Sequence, residues 1–111
     1  MTRGRVVVVG LEPTVGHEQR GRRPCVVVSD DTVVGEQRYP MLCVVPLTST
    51  GIEGALYPSV QPGQSGLRNL SYVLVDQLRS VDKRRILGSA GSLTRSELES
   101  VDTGLRLYLS L

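Results

Sequence analysis

A small, mainly β barrel capped by one C-terminal helix is the fold class the sequence predicts, on three observations. Short Val-rich runs recur at close intervals, separated by Gly, Pro and polar clusters, which is the pattern of a compact all-β unit. After residue 93 the period changes, and apolar residues fall on one face of a helix. The 111 residues are 40% hydrophobic but include no Trp and no Phe, so the core is built from Val and Leu rather than aromatic rings. A chain of this length is expected to form one domain, residues 1–111.

Each element follows from local chemistry. Arg5 to Val9 reads as a buried strand stopped by Gly10, and Leu11 to Pro24 as a loop punctuated by Pro13, Gly16 and Gly21. Cys25 to Val28 reads as a second strand, ended by Ser29-Asp30-Asp31-Thr32, and residues 33–40 as a further loop. Met41 to Leu47 is a third strand whose Pro46 predicts an edge or a bulge, because proline cannot donate to a ladder. Ala55 to Val60 is a fourth, interrupted by Pro58; Gln61 to Gly66 is a turn region. Ser71 to Val75 is a fifth strand and Ile86 to Ser89 a short sixth. Thr94 and Glu97 have capping-box spacing, and Leu98, Val101, Leu105 and Leu109 make one apolar helical face that is weakened by Gly104.

Composition narrows the function classes. A net charge of +2 is too small to mark a nucleic-acid binder, but the kind of cation is informative: of 13 Lys and Arg only Lys83 is lysine. Arginine suits planar, bidentate contacts to phosphate or carboxylate, although a GC-rich genome would produce the same excess. Val6 to Val9 is shorter than the roughly 7–15 apolar residues of a secretory signal and far shorter than a membrane span. Cys25 and Cys43 lie in β-like runs without metal-ligand spacing, so buried free thiols in a reducing cytoplasm are expected, with no metal, no cofactor and no membrane.

The chemistry concentrates in Gly16-His17-Glu18-Gln19-Arg20-Gly21-Arg22-Arg23-Pro24, which runs straight into an apolar strand. Arginine stays protonated at neutral pH, so Arg20, Arg22 and Arg23 can stabilise negative charge on a phosphoryl group but cannot act as bases. Arg23 precedes proline and is held toward extended geometry. His17 is the only side chain with an unperturbed pKa near neutrality. Glu18 could be a base, an orienting carboxylate or an ion-pair partner of Arg23. A solvated loop paired through Glu12 or Glu18 would carry the same charges. Thr48-Ser49-Thr50 ends the third strand with consecutive hydroxyls, which can bind phosphate or simply form a turn. Of four tyrosines, Tyr39 and Tyr57 lie in loops beside the third and fourth strands and could stack on bases.

These pieces, taken in order, resemble the MazF/PemK family of toxin endoribonucleases. The matching stretches are Arg3-Gly4, Leu11-x-Pro13-x-x-Gly16-x-Glu18-Gln19, Gly21-x-Arg23-Pro24-x-Val26-Val27-Val28-Ser29, Val44-Val45-Pro46-Leu47-Thr48 and Val75-Asp76-Gln77-x-Arg79-Ser80-Val81-Asp82. The resemblance implies an SH3-like barrel of the MazF/PemK/CcdB-like toxin fold, assembled as a homodimer. It implies metal-independent cleavage of single-stranded RNA by 2′-hydroxyl attack, leaving 2′,3′-cyclic phosphate and 5′-hydroxyl ends, and blocked by a MazE-like antitoxin laid across the dimer groove. Carried over by position, the catalytic residues are Arg23, Thr48 and Glu18. His17, Gln19, Arg20, Arg22, Tyr39, Ser49, Tyr57 and Gln77 are expected to contact RNA. The loops from Asp31 to Met41 and from Thr50 to Tyr57 are expected to shape the groove. The alternatives are a non-enzymatic toxin of the same fold that poisons gyrase, a peptide-binding adaptor, and an inactive binding relative.

Overall fold

The computed structural model describes residues 1–13 and 15–111; Thr14, within the loop read over Leu11 to Pro24, lies outside the described residues. In chain order the elements are β1 (Arg5–Gly10), β2 (Arg22–Val27), α1 (Asp31–Gly35), β3 (Met41–Thr48), β4 (Ser59–Val60), β5 (Ser71–Val73), β6 (Arg79–Asp82), β7 (Ile86–Ser92) and α2 (Arg95–Leu109). Single turns of 3₁₀ helix at Val75–Gln77 and Lys83–Arg85 flank β6. The strands form one curled antiparallel sheet in the order β4-β5-β3-β2-β1-β7, with β6 also paired to β3. The fold is the mainly β, helix-capped architecture that the sequence predicts, with the sheet curled into a half-barrel.

Valine runs stay in this sheet because both of its faces are buried. Val6, Val26, Val45 and Leu47 point into one apolar cluster, whereas Val7, Val9, Cys25, Val27 and Val44 point into another. Side chains alternate faces along a strand, so a continuous apolar run feeds two cores. Helix α2 covers the first of them with Val101 and Leu105. The Thr94 hydroxyl accepts from Glu97 N at 3.1 Å and the Glu97 carboxylate accepts from Thr94 N at 2.9 Å, completing the expected capping box.

The structure corrects several readings. β2 begins at Arg22, not Cys25: Val8, Val9 and Gly10 pair with Pro24, Arg23 and Arg22, and the exposure of both arginines removes the apolar signal from that end of the strand. Residues 31–35 form a helix where the sequence reads a loop; the Asp30 carboxylate caps it by accepting from Thr32 N at 2.9 Å. A helix of this length leaves no periodic pattern. β4 is only Ser59–Val60, β5 stops at Val73, and β7 runs on to Ser92. β6, with Val81 as its single buried residue, escapes the sequence pattern altogether.

Pro46 sits neither at an edge nor in a bulge. β3 is central, pairing with β6 over Met41–Val44 and with β5 over Leu47–Thr48, and Pro46 falls between the two ladders. Its carbonyl accepts from Leu74 N at 2.8 Å, while its missing donor falls where one partner strand gives way to the next. Gly104 also has a packing role. A Cβ there would meet Ala55 O at 3.0 Å and Val75 Cγ2 at 3.1 Å, so glycine lets α2 lie close to the turn at Ala55 and to the 3₁₀ turn at Val75–Gln77. Leu109, expected on the buried face, is 46% exposed because the last turn of α2 overhangs the core.

Both cysteines are free; Cys25 is buried and Cys43 half-buried. Burial pushes the Cys25 thiol up to about 12, with nearby Arg79 acting in the opposite direction. It therefore stays protonated and unreactive at neutral pH. Among the described residues no helix is long and apolar enough to cross a membrane.

Candidate active site

Strand register brings the arginine loop to the hydroxyl cluster. Cys25 pairs with Pro46, and continuing that antiparallel register by two residues sets Arg23 beside Thr48. Both line a shallow cleft of about 160 Å³, together with Pro24, Leu47, Ser49, Leu67, Arg68, Asn69 and Ser71. Two guanidinium groups, three hydroxyls and an amide face this space, with no carboxylate and no aromatic ring. Such a lining is chemically suited to an anion.

The donors are partly preset. Arg23 Nε donates to Arg20 O at 2.9 Å, which fixes the guanidinium and leaves its Nη groups for a ligand. The Thr48 hydroxyl accepts from Thr50 N at 3.2 Å and lies 3.1 Å from the Thr50 hydroxyl. The turn after β3 thus positions Thr48 and leaves it half-buried at the rim of the cleft.

Glu18 lies in a separate small cleft of about 140 Å³, with Gln19, Pro46, Asp76, Gln77 and Arg79 among its walls. One carboxylate oxygen accepts from Val15 N at 2.6 Å, closing the tip of its own loop. Gln77 fastens that loop to the sheet: its Oε1 accepts from Gln19 N at 2.8 Å and its Nε2 donates to His17 O at 3.4 Å. The neighbouring Asp76 does the same for the next loop, accepting from the Tyr57 hydroxyl at 2.6 Å. This hydrogen bond to the carboxylate raises the Tyr57 pKa above its ordinary value. One turn of 3₁₀ helix therefore ties down both loops beside the anion cleft.

A third, larger cleft of about 610 Å³ opens between the Thr50–Tyr57 segment and the sheet, lined by Ile52, Tyr57, Tyr72 and Leu74 with Asp76 and Gln77 at its edge. Its aromatic and apolar walls suit nucleobases as the first cleft suits phosphate.

Of the residues expected to act together, Arg23, Thr48 and Ser49 share one cleft, Glu18, Gln19 and Gln77 a second, and Tyr57 and Gln77 the third. His17, Arg20 and Arg22 are exposed on or next to the first loop. Tyr39 is placed elsewhere: it precedes the Met41 end of β3, whereas Thr48 ends that strand, roughly 20–25 Å away along an extended chain. The loop from Asp31 to Met41 lies at the same far end. Sequence reasoning missed Arg68, Asn69 and Tyr72. The dense Gly and Ser punctuation of residues 61–66 was their one available signal, since it marks a loop with a demanding shape. Among the described residues no three His, Cys, Asp or Glu side chains gather in a way that could hold a metal ion.

Comparison with known proteins decides the family. Residues 2–109 match the model of the PemK-like, MazF-like toxins of type II toxin–antitoxin systems. The chain belongs to the MazF/PemK toxin family. Endoribonuclease MazF of Staphylococcus epidermidis is 33% identical over 112 aligned residues, covering 98% of this chain and 91% of that protein. The crystal structure of MazF from Deinococcus radiodurans superposes with a TM-score of 0.84 at 27% identity, covering 100% of this chain and 97% of that one. The same toxin in its MazE–MazF crystal form II gives 0.78 at 27% identity, covering 100% and 96%. Family membership accounts for the ordered set of motifs and for the half-barrel with its C-terminal helix.

Proposed function

We propose that this MazF-family endoribonuclease toxin cuts single-stranded RNA, such as mRNA, at short sequence motifs without metal, in the cleft of Arg23 and Thr48. The observation that carries the reading is the convergence of these two residues, 25 positions apart in the chain, on a carboxylate-free anion cleft. In the proposed reaction the ribose 2′-hydroxyl attacks the adjacent phosphorus. The O2′–P bond forms, the P–O5′ bond breaks, and the hydroxyl proton leaves the nucleophile as another reaches the departing O5′. The products are a 2′,3′-cyclic phosphate and a 5′-hydroxyl. Arg23 stabilises the charge that builds on the phosphorane oxygens, and Thr48 donates to a nonbridging oxygen. Neither is a base. Glu18 is the carboxylate assigned to take the proton; it lines a separate cleft here, so in the reacting complex its loop has to carry it to within about 3 Å of the 2′-hydroxyl, or to one bridging water. His17 assists in proton transfer or RNA contact without being essential. Bases occupy the aromatic cleft, where edge contacts set the cleavage motif.

The same lining explains partner choice. A MazE-like antitoxin that lays an acidic, extended segment over the cationic cleft would compete with RNA for Arg23. The exposed apolar end of α2 (Leu107 at 60%, Leu109 at 46%) supports a homodimer that covers it. RNA as substrate implies action in the cytoplasm. The gyrase-poisoning alternative is not favoured, because a relative with one-third identity is an endoribonuclease.

Incubating a long single-stranded RNA with the protein in EDTA tests the reading. Discrete fragments with 5′-hydroxyl ends are expected; intact RNA, or cleavage that requires added metal, would overturn it. Gln77 gives a second check. Gln77→Ala releases the Glu18 loop at two hydrogen bonds, and kcat/KM should fall about tenfold while the fold stays intact. Unchanged kcat/KM would mean that the loop needs no tether for activity.

A further inference from the structure

The segment from Gln61 to Ser71 is more strongly fixed than a turn between two short strands requires. Gln61 N donates to the Glu97 carboxylate at 2.8 Å, and Ser92 N donates to Gln64 O at 3.0 Å. Gln64 Nε2 donates to Leu93 O at 3.1 Å. Ser65 is wholly buried, its hydroxyl donating to Gln61 O at 2.7 Å and accepting from Leu67 N at 3.2 Å. Ser71 Oγ donates to Asn69 O at 3.0 Å. The charged side chain that this framework presents to the anion cleft, among Leu67, Asn69 and Ser71, is Arg68.

Arg68 is exposed, and neither it nor Arg23 forms an ion pair among the described residues, whereas Arg3, Arg38, Arg84 and Arg95 each have a carboxylate partner. Two unpaired guanidinium groups lining one cleft repel each other unless an anion lies between or along them. A loop held this firmly keeps the second arginine there.

We propose that Arg68 binds the RNA backbone as a second phosphate-directed arginine, one phosphate along the strand from the group held by Arg23. The ligand rests on the RNA-cleaving reading above; the contact itself is sequence-independent and sets affinity rather than the chemical step. Arg68 is a binding residue, and Arg23 with Thr48 remains the reacting pair.

The probe is a single-stranded 2′-deoxy oligonucleotide, which keeps the phosphates but lacks the attacking hydroxyl. For the intact protein, Arg68→Ala should raise its Kd about tenfold. It should also make the slope of log affinity against log salt shallower by about 0.7, the value for one phosphate on a single strand. Arg68→Lys should keep the slope and lose only part of the affinity. With RNA, Arg68→Ala should raise KM by a similar factor and leave kcat within about twofold. Kd and salt slope equal to the native values would overturn the proposal. Binding and cleavage fail separately. Native protein that binds through Arg68 but cuts no RNA overturns the ribonuclease reading alone, and cleavage with no Arg68 effect on binding overturns this one alone.

Discussion

Arg23→Ala lowers kcat for RNA cleavage by about 100- to 1,000-fold, the usual cost of removing one well-placed donor to developing negative charge. The magnitude follows from the geometry. Arg23 Nε is already committed to Arg20 O, so the guanidinium meets the transition state without reorganising. The cleft has no carboxylate to neutralise it and only one other cation, Arg68. Stability should hardly change, since the lost side chain is exposed and makes a single hydrogen bond. Arg23→Lys keeps the charge but not the planar fork and should recover only part of the rate. Single-turnover cleavage at saturating protein measures this directly; a native-like rate for Arg23→Ala would remove Arg23 from the chemistry.

Gly91→Ala should lose both stability and activity through one steric event. A methyl group at Gly91 would stand 2.3 Å from Gln64 O and 2.5 Å from the Ser65 carbonyl carbon, both backbone atoms that cannot rotate away. The opposing contact is just as tight: Gly66 adopts a φ of +76°, and a Cβ there would lie 2.3 Å from Ala90 O. The two glycines let the 61–67 segment lie flat against β7. Pushing them apart should cost about 1–3 kcal/mol, a fall in Tm on the order of 10 °C. It should also displace Arg68 and Asn69 from the cleft, so kcat/KM drops further than unfolding explains. Gly88→Ala is the control, since nothing lies within 4 Å of its Cβ position on the same strand. Equal Tm values for the two variants would show that the segment does not need this close approach.

The sequence reveals the sheet better than the site. Val-rich runs mark β1, β2 and β3 because alternating side chains feed two cores, and Thr94 with Glu97 marks the start of α2. β6 and α1 escape because one buried valine, or one capped turn, leaves no periodic pattern. Arg23 and Thr48 are recognisable as residue types, but their meeting depends on the β2–β3 register, which only the pairing of Cys25 with Pro46 reveals. Glu18 lies near Arg23 in the chain, yet it faces a different cleft because Val15 N and Gln77 hold its loop. Tyr39 illustrates the opposite case: it looks close because it precedes the strand that ends in Thr48, but the eight residues of β3 separate the two ends.

The most direct test of the proposed chemistry is cleavage, in EDTA, of an RNA carrying one 2′-deoxynucleotide on the 5′ side of a mapped cut. Loss of cleavage at that site alone is predicted, with the all-ribose RNA yielding 2′,3′-cyclic phosphate ends. Continued cleavage at the deoxy position would contradict 2′-hydroxyl attack in the Arg23–Thr48 cleft.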